Sequence, residues 1–269
     1  MLIDFHTHVF LDKLAKGAVR SLAEKAHFTP YTDGTLSATE KLMREQGVDK
    51  FVALNIAVSP RTERHVNDFA ISLLSEENVI PFGSVHPYSE NAFAELDRLK
   101  EAGVKGIKFH NEYQDVFVDD PKAVRIYRAC AERGLIMLFH GGADRGFAPP
   151  VKTAPERMRR AIDAVPDGKF VVAHLGGQDM IADSVKYLAD SPAMIDVSFS
   201  AKTAGLHEAE DCIRAFGFSR VLFGTDCPWD TPENTLAFLK KMRFSDEEYA
   251  LLAIKNLVAY SVPRLTNDR

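Results

Sequence analysis

Leu2-Ile-Asp4-Phe-His6-Thr-His8-Val9 opens the chain, and its reading decides the fold. An apolar run that ends in Asp-x-His-x-His reads as a β-strand. Side chains on a strand alternate faces, so Asp4, His6 and His8 are expected on one side. Two imidazoles one step apart on one face can both reach a single metal ion, and zinc is the commonest partner of nitrogen ligands. A His-x-His pair alone fits surface or core histidines equally well, so the rest of the chain must supply the other ligands.

Outward from this strand, short apolar runs alternate with stretches of helical period. That pattern argues for βαβ units and a parallel sheet. Eight strands are predicted: Leu2–Val9, Lys50–Ala57, Ile80–Pro87, Val104–Asn111, Leu135–Gly142, Phe170–Gly177, Met194–Ser200 and Val221–Trp229. Amphipathic segments separate them: Ala38–Gln46, Arg61–Glu76, Asn91–Glu101, Pro121–Arg133, Pro155–Val165, Asp179–Ala189 and Glu208–Phe216. Two further helices, Thr231–Met242 and Ser245–Tyr260, close the chain. Pro121 and Pro155 suit first helical turns, and Ser245-x-x-Glu248 is a capping-box pattern. Gly47, Gly103, Gly134 and Gly217 fall where helices should stop.

Eight strand–helix units in 269 residues predict an α/β fold, a (β/α)8 TIM barrel forming one domain over 1–269. An open doubly wound sheet would carry a Gly-rich phosphate loop after its first strand, and this sequence has none there. Residues 10–37 form a long connection with a short helix over Leu11–His27. Such an insertion at the top of a barrel is expected to act as a lid or a substrate wall.

Composition narrows the function classes. The chain is 46% hydrophobic and 26% charged, with a net charge of -5, which gives no global electrostatic case for nucleic acid or a membrane surface. No apolar stretch approaches the roughly 18 residues of a membrane span. The N-terminus reads directly into a strand, without the basic region and cleavage site of a signal peptide. Cys130, Cys212 and Cys227 form no Cys-x-x-Cys and suit reduced thiols, so a cytoplasmic location is expected. The expected partner is a small-molecule substrate. A homo-oligomer stays open.

Six of the nine histidines lie at or near the C-terminal ends of predicted strands: His6, His8, His86, His110, His140 and His174. Barrel active sites form on that face. Asp226 ends the eighth strand, in Val221-Leu-Phe-Gly-Thr-Asp-Cys-Pro-Trp229. An apolar strand that ends in a carboxylate is a local conflict, and such conflicts tend to mark sites.

Five motifs stand in order: Asp4-Phe-His6-Thr-His8, Gly106-Ile-Lys108-Phe-His110, His140-Gly-Gly, His174-Leu-Gly-Gly and Gly224-Thr-Asp226-x-Pro228. In them the chain resembles the amidohydrolase superfamily, in the amidohydrolase-related branch that holds aminocarboxymuconate-semialdehyde decarboxylase-like enzymes and lactone hydrolases. The resemblance spans the whole barrel. It implies a metal-dependent enzyme with its metal site at the C-terminal face of the strands.

His6 and His8 are the expected metal ligands, and the resemblance adds His140. Asp226 can ligate the metal and can take a proton from activated water. His174 is expected as an acid/base beside the metal, or as a ligand of a second ion. Lys108 separates these options. The resemblance implies that Lys108, if carboxylated as in binuclear members of the superfamily, would bridge two ions, with His140 and His174 on the second. Unmodified, it would bind a substrate carboxylate or pack its stem in the barrel. One divalent ion is favoured over two, zinc before manganese.

His110 and Gln114 are expected to line the pocket floor or support a loop. His86 is either a satisfied structural imidazole or a substrate contact. The loop after the fifth strand carries Asp144, Arg145, Phe147 and Lys152; its Arg145 and Lys152, with Arg61 and Lys202, suggest a basic rim for a small carboxylate, and Phe147 and Trp229 could wall the pocket. Arg145 and Trp229 are its candidate substrate contacts, and Cys227 is expected to point away from the site. The first reading is a hydrolase that acts on a carboxylate-bearing amide, ester or lactone through metal-activated water. The alternative is a non-oxidative decarboxylase or hydratase of the same family. A nuclease of the TatD type ranks below both, because Lys108 occupies the strand where such enzymes often carry a glutamate.

Overall fold

The computed structural model describes residues 1–252 of the 269. All eight predicted strands are present: β1 (Ile3–Thr7), β2 (Lys50–Leu54), β3 (Val79–Phe82), β4 (Gly106–Phe109), β5 (Ile136–Phe139), β6 (Lys169–Val172), β7 (Met194–Asp196) and β8 (Val221–Leu222). They pair in parallel, in the runs β1-β2-β3 and β4-β5-β6-β7-β8. Backbone hydrogen bonds join the two runs at both seams. Between β3 and β4, Gly83 N donates to Gly106 O at 3.0 Å and Lys108 N to Gly83 O at 2.8 Å. Between β8 and β1, Phe5 N donates to Phe223 O at 2.9 Å and Asp226 N to His6 O at 2.8 Å. The fold is the (β/α)8 barrel expected from the alternation.

The helices are α1 (Asp12–Ala26), α2 (Leu36–Glu45), α3 (Glu63–Ser72), α4 (Ala92–Ala102), α5 (Asn111–Gln114), α6 (Pro121–Glu132), α7 (Pro155–Asp163), α8 (Ile181–Leu188), α9 (Ser200–Thr203), α10 (Leu206–Phe216), α11 (Pro232–Leu239) and α12 (Asp246–Ala250). The expected caps are made. Asp120 accepts from Lys122 N before Pro121, and Ser245 and Glu248 form the capping box. The short helices α5 and α9 were not expected; four residues are too few to show a helical period. The part of the predicted last helix beyond residue 252 lies outside the described residues.

Two expectations about the strands are corrected. The strands end earlier than the apolar runs. His110 and His140 stand one residue past β4 and β5, while His174 and Asp226 adopt φ of 59° and 70°. The backbone turns out of the ladder at these residues, so strand parity does not govern them. Strict alternation also fails along β1, whose register against β2 shifts between Asp4 and Thr7. Phe5 packs with Val52, Leu54, Phe82, Leu138 and Leu222 in a cluster drawn from the strands and residues flanking them, which fills the barrel interior.

Asp4, fully buried, ties β1 to the segment after β8. It accepts from His6 N at 3.0 Å, from Thr225 N at 3.0 Å and from Thr225 Oγ1 at 2.6 Å. At the other seam a glycine is required by packing. A Cβ on Gly106 would lie 2.4 Å from the Phe82 ring. Gly106→Ala is therefore expected to destabilise the barrel by about 1–3 kcal/mol through overpacking. A lowered urea midpoint with an unchanged m-value would show it.

Candidate metal centre

The ligand candidates on β1 are oriented from behind. His6 Nδ1 donates to Asp196 Oδ2 at 2.8 Å, and His8 Nδ1 donates to Leu54 O at 3.1 Å. Both Nε2 atoms thereby face Asp226, whose Oδ1 lies 3.2 Å from His6 Nε2 and 3.1 Å from His8 Nε2. Partners at Nδ1 fix the tautomer and ring angle of a ligating histidine.

Asp196 carries more than this one bond. It also accepts from His174 N and from Ser198 N, each at 3.0 Å. His174 Nδ1 donates to Ser198 O at 3.1 Å, which leaves His174 Nε2 to accept from His140 Nδ1 at 3.1 Å. His140 Nε2 is then a buried lone pair without a protein partner. Lys108 is buried too, with Nζ 3.2 Å from His6 Nε2.

Electrostatics suits a cation. Burial pushes His8 and His174 down to about 4 and His140 well below its ordinary value, so these rings are neutral donors at neutral pH. Burial alone would raise the Asp226 carboxyl, but His6, itself raised by Asp196 and Asp226, outweighs it by charge and hydrogen bonding and holds the carboxyl well below its usual range. Lys108 is pushed down to about 8 by burial, against the pull of Asp226 and Asp196.

His6 Nε2, His8 Nε2 and an Asp226 oxygen lie within 4.8 Å of one another. Two imidazole nitrogens and an ionised carboxylate, with an orphaned imidazole nitrogen nearby on His140, fit a zinc- or manganese-type ion. A second trio, His110, His140 and Asp144, meets the same distance limit. Its rings are stacked, however, with centroids 4.4 Å apart and planes 14° from parallel. An ion in the plane of one ring lies out of the plane of the other, so this trio is the poorer site.

The remaining predicted residues divide. His6, His8, Lys108, His110, His140, Arg145, His174, Asp226 and Trp229 all line one cavity of about 930 Å³. His86 is a satisfied structural imidazole: Nε2 meets Gln114 O at 3.0 Å and Nδ1 accepts from Tyr88 N at 3.2 Å. Gln114 supports loops, donating to Ala57 O and Val85 O and accepting from His110 N. Cys227 is buried with Val9, Met43 and Phe51, away from the ligands.

The basic rim is corrected. Lys152 is paired with Asp115 at 3.0 Å, Lys202 meets Tyr31 Oη at 3.4 Å, and neither lines the cavity, nor does Arg61. Arg145 does line it, but makes two 3.0 Å bonds to Asp179. The sequence reading missed Asp196. Its signal was present: a carboxylate inside the apolar run Met194-Ile-Asp-Val, the same conflict that exposed Asp226. Asp196→Asn is expected to cost about 10–100-fold in metal affinity with the fold retained, read by titration of the apoprotein. An unchanged affinity would remove Asp196 from the account.

The amidohydrolase family model matches residues 3–256. None of the curated proteins matches the chain by sequence. Among solved structures, an uncharacterised TIM-barrel protein from Bordetella bronchiseptica shares 17% identity at a TM-score of 0.76, over 96% of this chain and 97% of that one. The 5-carboxyvanillate decarboxylase of Sphingomonas paucimobilis shares 15% at 0.69, over 96% and 98%. A dihydroxybenzoic acid decarboxylase from Polaromonas sp. JS666, with bound manganese and the inhibitor 2-nitroresorcinol, shares 14% at 0.71, over 96% of each chain. At these identities the neighbours speak to the fold, and the family match covers nearly the whole chain: it belongs to the amidohydrolase family.

Proposed function

We propose that the chain is a metal-dependent, non-oxidative decarboxylase of carboxylic acids. The observation that carries this is the place of the donor set, in a cavity that Val9, Phe10, Leu54, Ile56, Phe199 and Trp229 also line. An apolar wall disfavours a carboxylate relative to the neutral CO2 it becomes. The two decarboxylases among the named neighbours, both of aromatic acids and one with bound manganese, support the lyase over the hydrolase expected first from the sequence.

His6, His8 and Asp226 would hold the ion, with His140 Nε2 as a further donor. When bound, the ion supplies Lewis-acid stabilisation of negative charge on substrate oxygens. Lys108, unmodified, is the cation placed to pair with the substrate carboxylate and set its angle. Decarboxylation breaks the bond from the carboxyl carbon to its parent carbon. The electron pair stays on that carbon, which takes up one proton, and CO2 leaves. Asp226 is the group placed to hold that proton, at a carboxylate oxygen, and His174 can take one at Nε2 along the 3.1 Å bond that His140 Nδ1 donates to it.

The manganese- or zinc-reconstituted protein is expected to release CO2 from members of a hydroxybenzoic acid panel. In D2O the product should carry one deuterium at the vacated carbon. Cleavage of carboxylated lactones or amides without CO2 release would instead establish the hydrolase. His174→Ala should keep its ion and lose about 10²–10⁴-fold in turnover, as expected for a proton-transfer group. Loss of an ion with the side chain would place His174 among the ligands.

A further inference from the structure

The cavity does not end at the metal centre. Its lining extends to α1 and α3, where much of it is apolar. From α1 come Leu14, Ala18 and Leu22, spaced four residues apart along one face, with Leu11 just before the helix. From the facing side come Val58, Val66 and Phe69. Leu14 is 55% exposed and Val58 44%, so this lining meets solvent in the free protein. Lys13, His65 and Asp68 also line this stretch of the cavity.

The helix is held in place by its other flank and its C-terminal end. Ala15 and Val19 are buried, and a Cβ on Gly34 would lie 2.5 Å from Val19 Cγ2. Lys25 Nζ stands 3.5 Å from the centre of the Phe147 ring, and Phe28 packs edge-on against Phe199 at 4.8 Å. The apolar face is thus presented to the cavity by a helix packed in place on its other side. The volume of about 930 Å³ is near the top of the roughly 300–1,000 Å³ that accommodates drug-sized ligands. A bare benzoic acid seated at the donor set would leave most of that volume unused.

We infer that the trough between α1 and α3 is a subsite for an apolar tail, so that the substrate is an acid with a long alkyl or aryl substituent. The inference rests on the proposed function only for the place of the acid head, beside His6, His8 and Asp226. Burying the tail would cover Leu14 and Val58, as apolar side chains on a functional surface require.

The test is binding of a homologous series to the metal-loaded protein by calorimetry. The probes are 2-hydroxybenzoates with methyl, butyl or hexyl tails para to the carboxylate. Affinity is expected to rise up to about three- to fourfold per added methylene, the full hydrophobic increment. Leu22→Glu should flatten that dependence. Ser21→Glu adds the same charge to the exposed face of the same helix and should preserve it. A flat series with metal-dependent binding of the methyl probe overturns the tail subsite and leaves the metal reading intact. A rising series that is indifferent to metal keeps the subsite and overturns the metal reading of the head. A dependence that survives Leu22→Glu, or a dimer in sedimentation that covers α1, overturns the inference.

Discussion

The site depends on closure of the barrel between its first and last strands. The ligand candidates come from the two ends of the sequence, and only the β1–β8 seam brings them together. The bond from Asp226 N to His6 O at 2.8 Å fixes the backbone of one candidate ligand directly to another. Asp4 reinforces the seam from within, accepting bonds from both sides of it through His6 N and Thr225. Its burial carries an electrostatic cost, which shows as a carboxyl raised to about 7. The seam is therefore a structural requirement of the chemistry as well as of the fold.

A second layer of residues converts this proximity into a donor set. Asp196 organises three elements at once, through the His6 ring, the His174 backbone and Ser198. Once His6 Nδ1 is committed to Asp196 and His8 Nδ1 to Leu54 O, each Nε2 has one direction to point. The histidines behind them form a directed chain, from Ser198 O through His174 to His140, that ends in an unpaired nitrogen. Unpaired buried polar atoms are uncommon in folded proteins and call for a partner. A metal ion with an open coordination position meets that need.

Much of this was legible in the sequence because it rests on periodicity. The alternation of apolar runs and amphipathic stretches gave all eight strands, and histidines and Asp226 at the ends of those runs mark the face where the site lies. What was not legible arises where periodicity stops. The chain leaves the ladder at His174 and Asp226 with positive φ, and β1 shifts register between Asp4 and Thr7, so neither parity nor run length sets those side-chain directions. Ion pairing was equally invisible. Arg145 and Lys152 read as a rim for an anion, yet each finds a carboxylate of the same chain, Asp179 or Asp115. The apolar underside of α1 was present in the spacing of Leu14, Ala18 and Leu22, but that spacing reads as core packing until the cavity beneath it is seen.

The central claim is that His6, His8 and Asp226 hold one divalent ion. Anomalous diffraction at the manganese or zinc edge, from crystals grown with that ion, tests it most directly. The account predicts a single strong peak within bonding distance of His6 Nε2, His8 Nε2 and an Asp226 oxygen, and no density beyond Lys108 Nζ. A peak between His110 and Asp144, a second peak bridged by a modified Lys108, or no peak at the three ligands would contradict it.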